Sequence, residues 1–268
     1  MSVYKSEQAN LLDRALHSIW MDQTLKPDQI ILIEDGPLGN ELHNVINEWK
    51  KNLPGIMDII VNPENLGLTK SLNRGIPLAK GEYIARMDSD DISTPERFEK
   101  QVAYLEANPE ISALSGNVEI YDERGSFLYT KKFPLTHQEC YKRISKGSPL
   151  SHPCVMIRKK VFEDGIRYNE KYRTSQDIAL WFDMLANGCK IANLDIPLLK
   201  FEYDQNMYKR RSHEKAKNEF EIYVKGIKKL YGLFTWRYAY PIARYIFRSL
   251  PQPFIKLIYN SQLKNKYI

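Results

Sequence analysis

Over the first two hundred residues, short apolar runs alternate with stretches in which apolar positions recur every three to four residues. That alternation predicts strands joined through crossover helices into a mostly parallel sheet. Ser2–Tyr4 opens as a strand, and Leu11, Leu12, Ala15, Leu16 and Ile19 then share one helical face. QIILIED (29–35) is apolar without alternation, as a strand buried on both faces must be, and it ends in two acids and a glycine. Leu42, Val45, Ile46 and Trp49 mark a second helix, and MDIIVN (57–62) a third strand. LTKSLNRGIPLAKG (68–81) predicts a helix closed by Gly81, and EYIARM (82–87) the next strand. Thr94 is placed as an N-cap and Pro95 as the first residue of a helix with Phe98, Val102 and Leu105 inward, ending at Asn108-Pro109.

Beyond residue 110 the pattern becomes more antiparallel. ISALSGNVEIYDERGSFLYTKKF (111–133) reads as two strands about a turn at Asp122–Gly125. SHPCVMIRKKVF (151–162) reads as another strand. QDIALWFDMLANG (176–188) is a helix with Ile178, Trp181, Phe182 and Leu185 in register and Gly188 past its end. The four tryptophans, Trp20, Trp49, Trp181 and Trp236, read as packing residues. The predicted class is α/β, Rossmann-like, with a mostly parallel central sheet, a small antiparallel part and a C-terminal helical tail. Residues 1–203 form the main domain, split into 1–110 and 111–203, and 204–268 form the tail.

Composition adds a charge asymmetry. Of 39 basic and 33 acidic side chains, 14 and 4 fall in residues 204–268, leaving 25 and 29 upstream. No acid follows Glu221, while aromatic and aliphatic residues interleave with the bases. A basic, aromatic helical tail suits the surface of a membrane carrying anionic headgroups, where each Lys or Arg contributes about 1 kcal/mol. A solvated tail or an oligomer contact has the same composition. No nucleic-acid-binding module accompanies the charge. Cys140, Cys154 and Cys189 lack disulfide or zinc spacing and read as reduced thiols of a cytosolic protein. No window is long and apolar enough to span a bilayer, and the N-terminus lacks the basic-then-apolar order of a signal peptide.

Open α/β sheets bind ligands beyond the carboxyl ends of their strands. Two acidic clusters fall there: Glu34-Asp35-Gly36, and Asp88-Ser89-Asp90-Asp91. Carboxylates crowded in Asp-x-Asp spacing repel one another unless a hard divalent cation joins them. Such a cation, Mg²⁺ or Mn²⁺, keeps open positions that phosphate oxygens fill, which implies a diphosphate ligand. The competing reading makes Asp91 a helix cap and leaves the other acids in solvent.

The ordered set SVY, IEDG, NPENLGLTKSLNRGIPLAKGEYIARMDSDD and the distant SQDIALW resembles the family 2 glycosyltransferases, inverting enzymes of the GT-A fold. The likeness covers residues 1–203 and is closest to bacterial O-antigen and exopolysaccharide transferases. It implies that Ser2 and Tyr4 wall the base pocket, that Asp35 accepts a hydrogen bond from the base, normally uracil, and that Lys70 and Asn73 lie beside the nucleotide. It assigns Asp88 and Asp90 to the D-x-D motif and the metal, with Asp90 the direct ligand of Mn²⁺ or Mg²⁺ and Asp88 nearer the ribose or a metal-bound water. Asp177 matches the general base, the alternative being a first-turn carboxylate held by the helix dipole. His152 is placed near acceptor and diphosphate or else in the core, and Arg210 and Arg211 over the diphosphate or against lipid. Gln176 stands where the family commonly has Glu, and Met1 directly precedes a strand that relatives generally begin several residues earlier.

The expected activity is transfer of a hexose from a UDP-sugar to a lipid-linked (polyprenyl diphosphate) saccharide during surface polysaccharide assembly. The expected place is the cytoplasmic face of the inner membrane, as a peripheral protein. A haloacid dehalogenase-type phosphatase also uses D-x-D, but Asp90-Asp91-Ile92 lacks the Thr that class expects. A nucleotidyltransferase opens with a Gly-rich basic loop absent from MSVYKSEQAN. A non-catalytic basic membrane-binding protein is the third alternative.

Overall fold

The structure, a computed structural model, describes residues 1–202 and 213–249. Three parallel strands form the first sheet in the order β1 (Ser2–Val3), β2 (Ile30–Asp35), β3 (Met57–Asn62). Two crossovers connect them, α1 (Ala9–Trp20) and α2 (Asn40–Asn52). Leu12, Ala15, Leu16 and Ile19 of α1 and Leu42 and Ile46 of α2 are buried, as the 3.6-residue period requires. β2 is buried along nearly its whole length, which explains its unbroken apolar run.

The second sheet is six-stranded and mixed. Its path runs β4 (Tyr83–Ala85), β8 (Met156–Arg158), β6 (Ile111–Tyr121), β9 (Lys190–Glu202), β5 (Ile92–Ser93), and β7 (Phe127–Lys131) pairs β6. β6 and β9 run parallel, and all the other pairs are antiparallel. The β6–β7 turn forms as predicted, with Asp122 Oδ1 accepting from the Arg124 and Ser126 amides. The helices of this half are α4 (Arg97–Ala107), α5 (His137–Arg143), α6 (Lys159–Glu163) and α7 (Gln176–Ala186).

Several boundaries move. The helix after β3, α3 (Leu68–Gly75), passes into a 3₁₀ turn at Ile76–Leu78 instead of reaching Gly81. Pro77 has no amide to continue the ladder. α4 starts at Arg97, because Thr94–Arg97 close a turn through Arg97 N and Thr94 O, 3.2 Å apart. The stretch predicted as one strand from Ser151 is a 3₁₀ turn, the three-residue β8 and then α6.

The tail's first helix, α8 (His213–Tyr231), belongs to the body of the molecule. It packs on α7, and its Ile222, Tyr223 and Ile227 are buried with Trp181 and Phe182 in one apolar cluster. Gly226 makes this contact possible: a Cβ there would lie 2.2 Å from the Phe182 ring. α9 (Ala239–Ser249) lies outside α8, pinned by Arg244 Nη1 to Glu219 Oε1 at 2.9 Å and by Arg248 to the same carboxylate. Leu233, Phe234 and Trp236 in the α8–α9 connection, and Ile242 and Ile246 on α9, are exposed, so Trp236 is not the packing residue predicted. Among the described residues no helix is long and apolar enough to cross a membrane.

Candidate active site

The site begins at the carboxyl ends of β2 and β3. Asp35 is buried and three of its acceptor positions are taken. Oδ1 accepts from Leu66 N and Asn62 Nδ2, both at 2.8 Å, and Oδ2 accepts from Gly67 N at 2.9 Å. The carboxylate therefore shapes the 64–67 loop that feeds α3, and it retains limited capacity for a base N–H. Gly36, at φ +89°, lets the two loops meet: a Cβ there would fall 2.7 Å from Asn65 N. Tyr4 is exposed just past β1, Ser2 is half-buried within it, and Lys70 is exposed in the first turn of α3. Asn73 is engaged elsewhere. Its Nδ2 donates to Tyr168 O at 2.8 Å and Glu170 Oε1 at 3.0 Å, and its Oδ1 accepts from Tyr168 N at 3.2 Å. It thus anchors a loop that carries Tyr168.

β4 delivers the acidic cluster. Ligand oxygens of Asp88, Asp90 and Asp91 all lie within 4.8 Å of one another, with Asp88 half-buried, Asp90 exposed and Asp91 buried. Asp91 Oδ2 is buried with no hydrogen-bond partner. Burial first, and then the charges of Asp88 and Asp90, push the Asp91 carboxyl well above its ordinary range. An orphaned carboxylate oxygen beside two more acids fits a hard divalent cation held by oxygen ligands.

Behind the cluster lies a support that the motif does not reveal. Arg97 is fully buried, and its Nη2 donates to Arg86 O at 2.7 Å while its Nε donates to Gln101 Oε1 at 3.1 Å. Gln101 in turn donates to Leu114 O and Cys154 O, both at 3.0 Å. Ser18 Oγ of α1 accepts from Ser93 N at 3.0 Å, and Gln23, beyond the end of α1, donates to Thr94 O at 2.7 Å. The acid-bearing loop is therefore fastened at both ends.

Arg86 is the other residue that sequence reasoning missed. It is buried and paired with Asp88, and its charge acts on Asp91 and Tyr168 as well. The same guanidinium lowers the proton affinity of Asp177 and His152. The charge of one buried cation thus acts on both the D-x-D loop and the distant carboxylate. The available signal was an arginine inside an apolar run two residues before Asp88.

Asp177 is half-buried in the first turn of α7. Desolvation raises its pKa, against the pull of the Ile178 amide and Arg86. Ser175 before it adopts φ 58°, the one non-glycine positive φ among the described residues, a strained conformation of the sort found where a site needs an unusual turn. Thr174 Oγ1, Gln176 Oε1 and Trp181 Nε1 are buried nearby in sequence without partners. His152 is buried, with Nε2 2.7 Å from Tyr168 OH and its ring against Trp181. Burial, with Arg86, holds its pKa well below the usual value, so the imidazole is neutral. Arg210 and Arg211 lie outside the described residues.

Known proteins resemble this chain in sequence and in fold. The chain is 33% identical over 266 residues to the amylovoran biosynthesis glycosyltransferase AmsE of Erwinia amylovora, with 98% of each chain covered. It is 30% identical to an Escherichia coli UDP-Gal:alpha-D-GlcNAc-diphosphoundecaprenol beta-1,3-galactosyltransferase, over 98% of this chain and 95% of that one. The mannosyltransferase PcManGT of Pyrobaculum calidifontis, solved with GDP-Man and Mn²⁺, superposes with TM-score 0.64 at 14% identity, covering 99% of this chain and 79% of that one. That likeness establishes a GT-A-type fold. The Glycosyl transferase family 2 model matches residues 1–166. The chain is a glycosyltransferase and belongs to glycosyl transferase family 2.

Proposed function

We propose that this enzyme is an inverting, divalent-cation-dependent transferase that moves a hexose from a UDP-sugar to a polyprenyl-diphosphate-linked saccharide in surface polysaccharide assembly. The observation that carries the reading is the cluster of Asp88, Asp90 and Asp91 beyond β4, whose ligand oxygens lie within 4.8 Å of one another and which leaves the buried Asp91 Oδ2 without a partner. The relative that uses a diphosphoundecaprenol-linked acceptor supports the acceptor class.

Asp90 and Asp88, with Asp91 behind them, would hold Mn²⁺ or Mg²⁺, which supplies positive charge for the departing diphosphate. Asp177 takes the proton of the acceptor hydroxyl as that oxygen bonds to the anomeric carbon. The bond from that carbon to the diphosphate oxygen breaks on the opposite face, and its electron pair leaves with UDP. Ser2 and Tyr4 flank the base, Asp35 uses its remaining acceptor capacity there, and Lys70 faces the nucleotide from α3. Asn73 serves this site by holding the Tyr168 loop. His152, neutral and bonded to Tyr168, positions that loop beside Arg86. Arg210 and Arg211 remain assigned to the diphosphate.

The enzyme acts as a peripheral protein on the cytoplasmic face of the membrane that carries its lipid acceptor. The exposed Leu233, Phe234, Trp236, Ile242 and Ile246 support that placement, since exposed aromatic and aliphatic side chains among bases suit a headgroup boundary.

The test is product analysis with UDP-hexoses, Mn²⁺ and a polyprenyl-diphosphate saccharide. Sugar transfer, or slow release of UDP from donor alone, is expected. Release of inorganic phosphate, or no turnover with any donor, overturns the reading. Asp90→Ala is expected to abolish cation-dependent UDP binding measured by calorimetry.

A further inference from the structure

The chain from Tyr168 to Arg173 runs back along α3, and a series of contacts fixes its path. At one end Asn73 Nδ2 donates to Tyr168 O at 2.8 Å, and Asn73 Oδ1 accepts from Tyr168 N at 3.2 Å. One turn nearer the start of α3, Thr69 Oγ1 donates to Tyr172 O at 2.7 Å. At the other end Arg173 reaches the residue that precedes α3: a Cβ on Gly67 would lie 3.6 Å from Arg173 Nε and 3.9 Å from its Nη2. Gly67 is the residue whose amide donates to Asp35 Oδ2. The Arg173 guanidinium therefore sits over the loop that holds the carboxylate at the end of β2.

Its surroundings separate Arg173 from an ordinary surface arginine. Arg167 and Lys171, the other bases of this segment, are engaged by the protein: Arg167 Nη1 donates to Ile166 O at 2.8 Å, and Lys171 pairs with Glu221. Among the described residues Arg173 has neither a hydrogen-bond nor an ion-pair partner, although the buried Tyr172 before it holds its backbone in place. Strand order then sets what it faces. With β1, β2 and β3 side by side, and with Val3 opposite Glu34 and Asn62 opposite Asp35, Tyr4 leaves the sheet on one flank of Asp35 and the 64–67 loop leaves it on the other. A planar ring hydrogen-bonded to Asp35 would lie between Tyr4 and Gly67, with Arg173 on the Gly67 side.

We infer that Arg173 is a nucleotide-binding residue whose guanidinium stacks on the face of the donor base opposite Tyr4. This assignment rests on the proposed role of Asp35 as acceptor for a base N–H, and it adds a contact that lies in none of the motifs. A guanidinium is planar and weakly hydrated, so it covers an aromatic face where the ammonium of a lysine does not. A stack present in both the bound donor and the transition state changes the KM for donor and leaves kcat nearly untouched. The same segment passes through Ser175, at φ 58°, into Asp177, so the residue over the base and the proposed proton acceptor are carried by one short stretch of chain.

The experiment titrates UDP, with Mn²⁺, into the parent chain and into Arg173→Met, Arg173→Lys and Arg173→Tyr by calorimetry. Affinity is expected to fall about 5–20-fold in the Met and Lys variants, while Arg173→Tyr, which keeps a planar group without the charge, stays within about threefold of the parent. In Arg173→Met the KM for donor is expected to rise by the same factor, with kcat within about twofold of the parent value. Parent affinity in Arg173→Met overturns the inference. Affinity kept by Lys and lost in Tyr overturns the stacking and makes Arg173 a counter-charge for the diphosphate. A fall in kcat at unchanged KM also overturns it, and makes Arg173 a residue that sets Asp177. A parent chain that binds GDP or dTDP but no UDP removes the proposed donor alone, and the four chains are then compared with that nucleotide. Binding of no nucleoside diphosphate to the parent removes both.

Discussion

Arg97 shows how one residue can serve the chemistry without touching a substrate. Its guanidinium, fully buried, spans from Gln101 to the carbonyl of Arg86, the residue that pairs with Asp88. Arg97→Met fills the volume but leaves that carbonyl and Gln101 Oε1 unpaired, for which a loss of about 2–4 kcal/mol is expected in urea unfolding. Asp177 gives a sharper pair of expectations. Because the folded-state pKa is raised, the folded form favours the protonated acid. Stability from this group is complete below the unfolded-state pKa and is lost as pH rises through the folded value. Asp177→Asn is therefore expected to melt at or above the parent temperature at pH 7.5, while the transfer rate falls about 10²–10⁴-fold. A wild-type rate in that variant would end its assignment as the base. Since the base works deprotonated, the acid limb of the rate profile is expected at higher pH than an ordinary aspartate would give. At this scale the acids were legible in the sequence, because carboxylates crowded at a strand end conflict with local electrostatics and so stand out. Arg86, Arg97 and Tyr168 were not, since a buried polar side chain looks like any other until its partners, tens of residues away, are in place.

Among the elements, the strongly periodic ones were legible: α7 buries all four side chains its spacing predicted, α1 and α2 bury most of theirs with Leu11, Val45 and Trp49 only half-buried, and β2 and β3 stand where the apolar runs lie. β9, the longest strand, was not assigned at all. Asp195 and Pro197 interrupt its apolar run, and the β6–β9 ladder absorbs them by shifting register around Asn117 and Pro197. A proline is tolerated at such an irregularity, which periodicity does not reveal. α8 was read as part of an appended tail because its bases dominate its composition, yet Gly226 and Phe182 dock it into the core. That contact sets two known effects against each other. Gly226→Ala gains roughly 1 kcal/mol of helix propensity but places a methyl inside the Phe182 ring, and overpacking costs about 1–3 kcal/mol. A net fall in melting temperature is the expected outcome, and a rise would mean that α7 and α8 do not pack as described.

For the molecule as a whole, the excess of basic charge falls in the same C-terminal part of the chain as the exposed Leu233, Phe234, Trp236, Ile242 and Ile246. Phe234→Ser with Trp236→Ser is expected to reduce sedimentation with vesicles containing anionic lipid by at least about tenfold, without altering UDP affinity. Raising salt should weaken binding of the parent chain, since its basic component is screened over about 8–10 Å. Vesicle binding unchanged in the double variant would remove this surface from the membrane contact. The arrangement of α9 has a consequence of another kind. Glu219 acts on Asp177 with a charge that raises its proton affinity, and Arg244 and Arg248 of α9 offset that carboxylate. The helix bearing the outward Ile242 and Ile246 therefore doubles as a counterweight: were it lifted from α8, Glu219 would be unmasked and the proton-accepting aspartate would be harder to ionise. Replacing both arginines by alanine should move the acid limb to higher pH, linking how the outer helix is seated to the rate at which sugar is passed on.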